Sequence, residues 1–231
     1  MAIDLAGRRV LVTGASLGIG RETALAFAAA HCRVVLTYRE HRTEAEEAAR
    51  RCLGLGAAQA EAVQLDQSDE RSVVALADFV RDRFGGLDVL VNNAGVISWQ
   101  PFREQTPTDL DEQVGVNLLG VMKVTWHLLP LLTDAVVVVG STASLHSSHT
   151  PPPYVATKWG VRGFVKALAV EYPGLRIVAV HPTVTATRMN DMRGMAPERV
   201  ARVIVRVAAG EIDVESGGDV DLRDHGDASA D

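Results

Sequence analysis

Four valines in succession, in AVVVVGS at 135–141, leave little choice of fold. A strand with one wet face alternates apolar and polar residues. A strand apolar on both faces belongs in a sheet covered on both sides, which is the setting of parallel sheets. The same character recurs in RRVLVTG (8–14), CRVVLTYR (32–39), AEAVQLD (60–66), LDVLVNNAG (87–95) and LRIVAVHP (175–182). Between these strands the spacing predicts helices over 18–31, about 42–53, from Ser68 onward, over 108–133 with Pro130 as a possible stop, and over 154–172 and 197–209. Ser68 suits an N-cap, with Asp69 and Glu70 in the first turn. Parallel strands joined by helices need right-handed crossovers. The expected fold is α/β: a single domain over 1–231, built as a doubly wound parallel sheet flanked by helices.

The rest of the composition mainly excludes. A net charge of −6 with scattered basic residues gives no footprint for nucleic acid or an anionic membrane. No apolar stretch reaches the roughly 18–20 residues that span a bilayer. The start, MAIDLAGRRVLVTG, lacks a signal peptide's apolar region, so a cytoplasmic location is expected. Cys32 and Cys52, the only cysteines, are expected to remain thiols. The end differs in character: from about 213 to 231 it reads as an acidic tail with frayed last residues. IDVES-GG-DVDLR within it suits an edge hairpin about Gly217 and Gly218.

Three places carry chemistry. TGASLGIG (13–20) sets Gly14, Gly18 and Gly20 between the first strand and first helix, where a tight turn and a helix N-terminus suit a pyrophosphate. Alone, a G-x3-G-x-G turn is also an ordinary loop. At the end of the second strand, where an acid would bind a ribose 2′-OH, stand Tyr38 and Arg39; a guanidinium pairs with a 2′-phosphate, although a solvated strand-end arginine has the same appearance. The third is PPPYVATKWG (151–160), with Tyr154 and Lys158 on one helix face. A phenol near pKa 10 is only about one part in a thousand ionised at neutral pH, and lowering its pKa by three units takes about 4 kcal/mol. One positive charge at about 4 Å supplies that much. Lys158 is therefore placed to make Tyr154 a usable proton donor and acceptor, and the prolines remove backbone freedom before it. A surface Tyr–Lys pair is the plainer reading of that spacing taken by itself.

Taken together, TGASLGIG, NNAG (92–95), Asn117 in a long helix, a serine after the valine-rich strand and YxxxK closely resemble the short-chain dehydrogenase/reductase family over about 6–190. The resemblance implies a Rossmann-type fold and hydride transfer between a nicotinamide cofactor and an alcohol or carbonyl. It implies Tyr154 as acid/base, with Lys158 lowering its pKa and holding the nicotinamide ribose. Ser141 would hydrogen-bond the substrate oxygen, and Asn117 would hold a water of a proton relay. Asn92, Ala94 and Gly95 would shape the cofactor wall. Asp66 would contact the adenine beside Gln67, and Ser16, Leu17, Gly18 and Ile19 would lie under the phosphates. Pro182, Thr185 and Thr187 would face the carboxamide. With Arg39 in place of an acid, NADP(H) is favoured, and NAD(H) remains possible.

The chain also departs from the family pattern. Thr183 stands where glycine is usual, Leu17 offers no second basic residue, and the stretch from Thr187 to Pro197 is short, which would leave the pocket open. The family's C-terminal interface segment is not recognisable, so a dimer through the helices at 108–133 and 154–172 is expected in place of a tetramer, with Leu118, Leu119, Val161, Phe164 and Leu168 as candidate contacts. Trp99, His146, His149 and Met189 are expected at the pocket, with no metal. The rival readings are an extended-branch epimerase or dehydratase, a catalytically weak NADP-binding sensor, and a purely structural module.

Overall fold

The structure is a computed structural model that describes residues 4–146 and 149–224. One seven-stranded parallel sheet has the order β3-β2-β1-β4-β5-β6-β7. Its strands are β1 (Arg9–Val12), β2 (Arg33–Tyr38), β3 (Ala60–Gln64), β4 (Leu87–Asn92), β5 (Leu132–Val139), β6 (Arg176–His181) and β7 (Asp219–Asp221). The helices are α1 (Gly18–Ala29), α2 (Arg42–Gly54), α3 (Glu70–Phe84), α4 (Pro107–Val114), α5 (Val121–Leu128), α6 (Pro152–Glu171) and α7 (Pro197–Ala208).

Pleating sorts the valine-rich strands into two cores. Val10, Val12 and Val137 join Phe27, Ile204 and Val207 on one side. Leu11, Leu90 and Val136 join Leu76, Val124 and Val161 on the other. Both faces of the sheet are thus apolar, which is why its strands do not alternate.

Several elements differ from expectation. Asp69, not Ser68, caps α3 by accepting from the Arg71 amide at 3.1 Å, while Ser68 turns back to Asp66. The long helix is interrupted by a π-helical segment, Gly115–Gly120. It reaches Leu131 through a final tight turn, Leu129–Leu131. Contrary to expectation, one helical stretch, Pro107–Leu131 with a mean hydropathy of 1.3, is long and apolar enough to cross a bilayer. Val121, Val124 and Leu128 are buried in the second core, as in a core-facing helix. Strand β5 begins at Leu132, earlier than its valines suggest. The register slips between Leu87 and Val89, and Thr133 donates to Asp88 Oδ1 at 2.8 Å across the irregularity. The polar Thr133 and Asp134 hid that start. Asp88 also accepts the Arg9 amide at 2.7 Å and the Arg9 guanidinium, which holds its carboxyl well below the usual range against the opposing effect of burial.

Residues 212–223 form no hairpin. β7 pairs parallel to β6, with Val180 opposite Val220, and Val220 and Leu222 are buried. Residues 225–231, the last of the expected tail, lie outside the described residues.

Candidate active site

The C-terminal ends of β1 to β6 open on one cleft of about 940 Å³. Its floor is a glycine turn packed too closely for side chains. A Cβ on Gly14 (φ 62°) would meet Ala94 Cα at 2.9 Å, and one on Gly18 (φ 56°) would meet Thr187 Cγ2 at 3.0 Å. Gly20 is a packing position outside the cleft lining, since its Cβ would lie 2.4 Å from the Gly14 carbonyl oxygen. Helix α1 begins at Gly18 with no side-chain cap and no acid in its first turn. Its first amides are thereby left to solvent or an anion. This bare, positively biased cradle fits a dinucleotide pyrophosphate.

Ser16, Leu17, Ile19, Tyr38, Arg39, Asp66, Gln67, Ala94, Gly95, Pro182, Thr185 and Thr187 all line the cleft. Asn92 does not. It is buried and donates to Thr125 Oγ1 at 3.0 Å. Its neighbour Asn93, unremarked in the sequence, faces the cleft and donates to the carbonyls of Thr13 at 2.8 Å and Gly14 at 3.2 Å. Thr13 Oγ1 in turn accepts the amides of Asn93 and Ala94. These bonds tie the glycine turn to the end of β4.

Arg39 is already engaged. Its guanidinium donates to Glu112 at 3.0 Å and to Glu40 at 3.1 Å, and the Glu112 contact is the main cause that raises its pKa further. Asp66 accepts from the Ser68 hydroxyl at 2.6 Å and the Ser68 amide at 2.9 Å. The hydroxyl contact is the main cause that keeps its carboxyl below the usual range.

Helix α6 starts at Pro152, behind Pro151 at its N-cap. Proline fits there because the first helical N–H groups have no partner within the helix. Tyr154 follows in the first turn beside Ser141; the Ser141 hydroxyl accepts the Ala143 amide at 3.1 Å. One turn on, Lys158 is buried; its Nζ donates to the Val139 carbonyl at 2.9 Å and lies 5.5 Å from the Tyr154 ring centre. Burial pulls Lys158 down to about 8 and pushes Tyr154 up to about 12, the Ser141 contact opposing the latter.

Asn117 sits in the π segment, fully buried and outside the cleft lining. Its Oδ1 accepts the Val96 amide at 2.8 Å, while its Nδ2 donates to the Val96 carbonyl at 2.8 Å and to Thr157 Oγ1 at 3.3 Å. It clasps the segment after β4 to α6, leaving one Oδ1 lone pair on the side of Gly95. Thr183 fits its loop without strain: among the described non-glycine residues, positive φ occurs only at His31, Asp191 and Met192.

Trp99 and Met189 line the cleft, and the Trp99 indole donates to the Met189 carbonyl at 2.8 Å. His146 and His149 are not among the described lining residues. His146 turns to Arg223 and Asp221 instead. Of the expected interface residues, Val161 and Leu168 are buried in the second core. Leu119 remains exposed, together with Trp126, Trp159 and Val170.

A family model described as short chain dehydrogenase matches residues 8–197. The chain is 35% identical to L-xylulose reductase of Mus musculus over 219 residues, 91% of this chain and 85% of that one. It is 35% identical to 3beta-hydroxysteroid dehydrogenase 1 of Eggerthella lenta over 204 residues, 84% of this chain and 77% of that one. Among solved structures, a short chain dehydrogenase from Burkholderia cenocepacia in complex with NADP superposes with a TM-score of 0.89 at 29% identity, covering 95% of this chain and 97% of that one.

Proposed function

The chain belongs to the short chain dehydrogenase family and is an oxidoreductase that moves hydride between a nicotinamide cofactor and a carbonyl or alcohol, and we propose that Tyr154 is its acid/base, that NADP(H) is its preferred cofactor, and that its substrate carries an apolar substituent. The observation that carries the reading is the convergence of Tyr154, Ser141 and Lys158 at the edge of the glycine-floored cleft. A nicotinamide dinucleotide bound there supplies or accepts the hydride. The turn from Gly14 to Ile19 would hold its phosphates, Asp66 and Gln67 its adenine, Asn93 to Gly95 would form one wall, and Pro182, Thr185 and Thr187 would face the nicotinamide end. Ser141 Oγ accepts the Ala143 amide, so its own proton is available to the substrate oxygen. Tyr154 gives its hydroxyl proton to that oxygen in reduction and takes it back in oxidation. Lys158 keeps a positive charge below about pH 8 and so favours the phenolate that forms.

Arg39 supports NADP(H), since no acid occupies its place at the end of β2. It must exchange Glu112 and Glu40 for the 2′-phosphate, which predicts a moderate preference. Val96, Ile97, Trp99, Val184, Met189 and Met192 give the cleft an apolar lip, which suits a ketone with an aromatic or alicyclic substituent better than a ketopentose. Exposed Leu119, Trp126, Trp159 and Val170 support a homodimer. The buried thiols of Cys32 and Cys52 suit the cytoplasm.

Oxidation of NADPH and NADH against a carbonyl panel, followed by nicotinamide absorbance, tests the reading. Turnover with NADPH that is faster on bulky apolar ketones is expected. A ketopentose turned over as well or better would overturn the substrate class. Tight NADPH binding without turnover of any carbonyl would restore the sensor reading.

A further inference from the structure

His181, the last residue of β6, is fully buried beneath Ser141 and takes no part in the chemistry above. Its Nε2 lies 2.8 Å from Asp219 Oδ1 on β7. The same carboxylate accepts three bonds from Arg162 at 2.9–3.0 Å and one from Lys166 at 2.9 Å. On its other side, Nδ1 lies 3.3 Å from the Ser141 amide, 3.1 Å from Ser144 Oγ and 3.1 Å from the Ser141 carbonyl. The imidazole rests against bare backbone, since a Cβ on Gly140 would come within 2.5 Å of Nδ1.

We propose that the His181–Asp219 couple positions Ser141, and that it does so only while the imidazole is neutral. This inference rests on the reading of Ser141 and Tyr154 as the reacting pair. An ionised carboxylate can only accept, so Nε2 carries the proton and Nδ1 is a bare acceptor. As an acceptor it receives the Ser141 N–H. The Ser141 carbonyl is held separately by the Ser144 amide at 2.9 Å and the Ser144 hydroxyl at 2.7 Å. A second proton, on Nδ1, makes that nitrogen a donor. It then repels the Ser141 N–H at 3.3 Å and competes with the Ser144 donors for the Ser141 carbonyl, already 3.1 Å away, displacing the residue whose hydroxyl faces Tyr154. The charged groups on the imidazole or its carboxylate are Asp219 on β7 and Arg162 and Lys166 on α6; Asp221, opposite His181 in the β-register, pairs with Arg223, Lys158 donates to the Val139 carbonyl, and the turn after β5 brings Ser141 and Ser144. Burial holds His181 below its ordinary value despite Asp219, so the neutral form prevails at pH 7. β7, the last strand of the sheet, thereby supplies a part of the active site.

The test compares wild type with His181→Asn, in which an uncharged amide oxygen can accept the Ser141 N–H, and with Asp219→Asn, which removes the carboxylate that fixes the tautomer. The expected wild-type kcat declines on the acid side. His181→Asn loses that decline, whereas Asp219→Asn lowers kcat about ten- to a hundredfold at neutral pH, the scale set by misplacing a reacting group. NADPH affinity, followed by fluorescence, should stay unchanged in both. A His181→Asn pH profile that superposes on wild type, or full kcat in Asp219→Asn, overturns the proposal. Should a variant fail to fold, nitrogen NMR of the wild-type His181 ring decides: a proton on Nε2 alone at pH 7 supports the proposal, and one on Nδ1 contradicts it. Tyr154→Phe run in parallel keeps the two readings apart, because full turnover there overturns the acid/base assignment whatever the histidine does.

Discussion

Lys158 is buried and Tyr154 half-buried, and desolvation drives each toward its neutral form, the tyrosine up to about 12 and the lysine down to about 8. The lysine has a sign that can be checked. Its folded pKa lies below the roughly 10.4 of an unfolded chain, so between about 8 and 10.4 the unfolded state holds more protons and stability rises with pH. Lys158→Met should flatten that rise in denaturant titrations across the window; an unchanged slope would mean that the amine is not buried. Arg39 gives a second case. Glu112→Gln frees the guanidinium and should raise NADPH affinity up to about fivefold, the scale of an exposed ion pair. Arg39→Ala should lower it about tenfold with NADH hardly affected, and cofactor titrations read both. The sequence showed Arg39 as a cation at the end of β2. It could not show Glu112, 73 residues away. Nor could it show which of Asn92 and Asn93 faces the cleft, because that depends on where β4 ends.

At the level of elements, runs of valine made the strands legible, while polar residues at element ends concealed their limits. Helix α3 starts one residue later than Ser68 suggests, because Asp69 accepts the Arg71 amide. Asp69→Ala should therefore cost about 1 kcal/mol in thermal or urea unfolding, and Ser68→Ala markedly less. The reverse order would return the cap to Ser68. The π segment was illegible, since one extra residue per turn leaves no mark in composition, yet it carries Asn117 against Val96. β7 was hidden for another reason. Its three residues, Asp219, Val220 and Asp221, look solvated until the carboxylate of Asp219 meets Arg162, Lys166 and His181.

For the whole molecule, unbroken apolar strands separated by helices set the class of fold and left the assembly open. Trp126, at 70% exposure, and Val170, at 83%, stand on the outer face of the helices that cover the second core. Light scattering at micromolar concentration should give a dimer, and Trp126→Glu should give a monomer; a monomeric wild type would refute the interface. The parallel sheet brings Gly14, Ser141, Tyr154 and Thr187 to one cleft, and the central claim is that this convergence makes Tyr154 the proton donor. Steady-state turnover of Tyr154→Phe, measured beside its NADPH affinity, tests that most directly. The account predicts a kcat lowered at least about a hundredfold, as for loss of a positioned proton donor, with cofactor affinity nearly intact. Retention of more than about a tenth of the wild-type rate would contradict it.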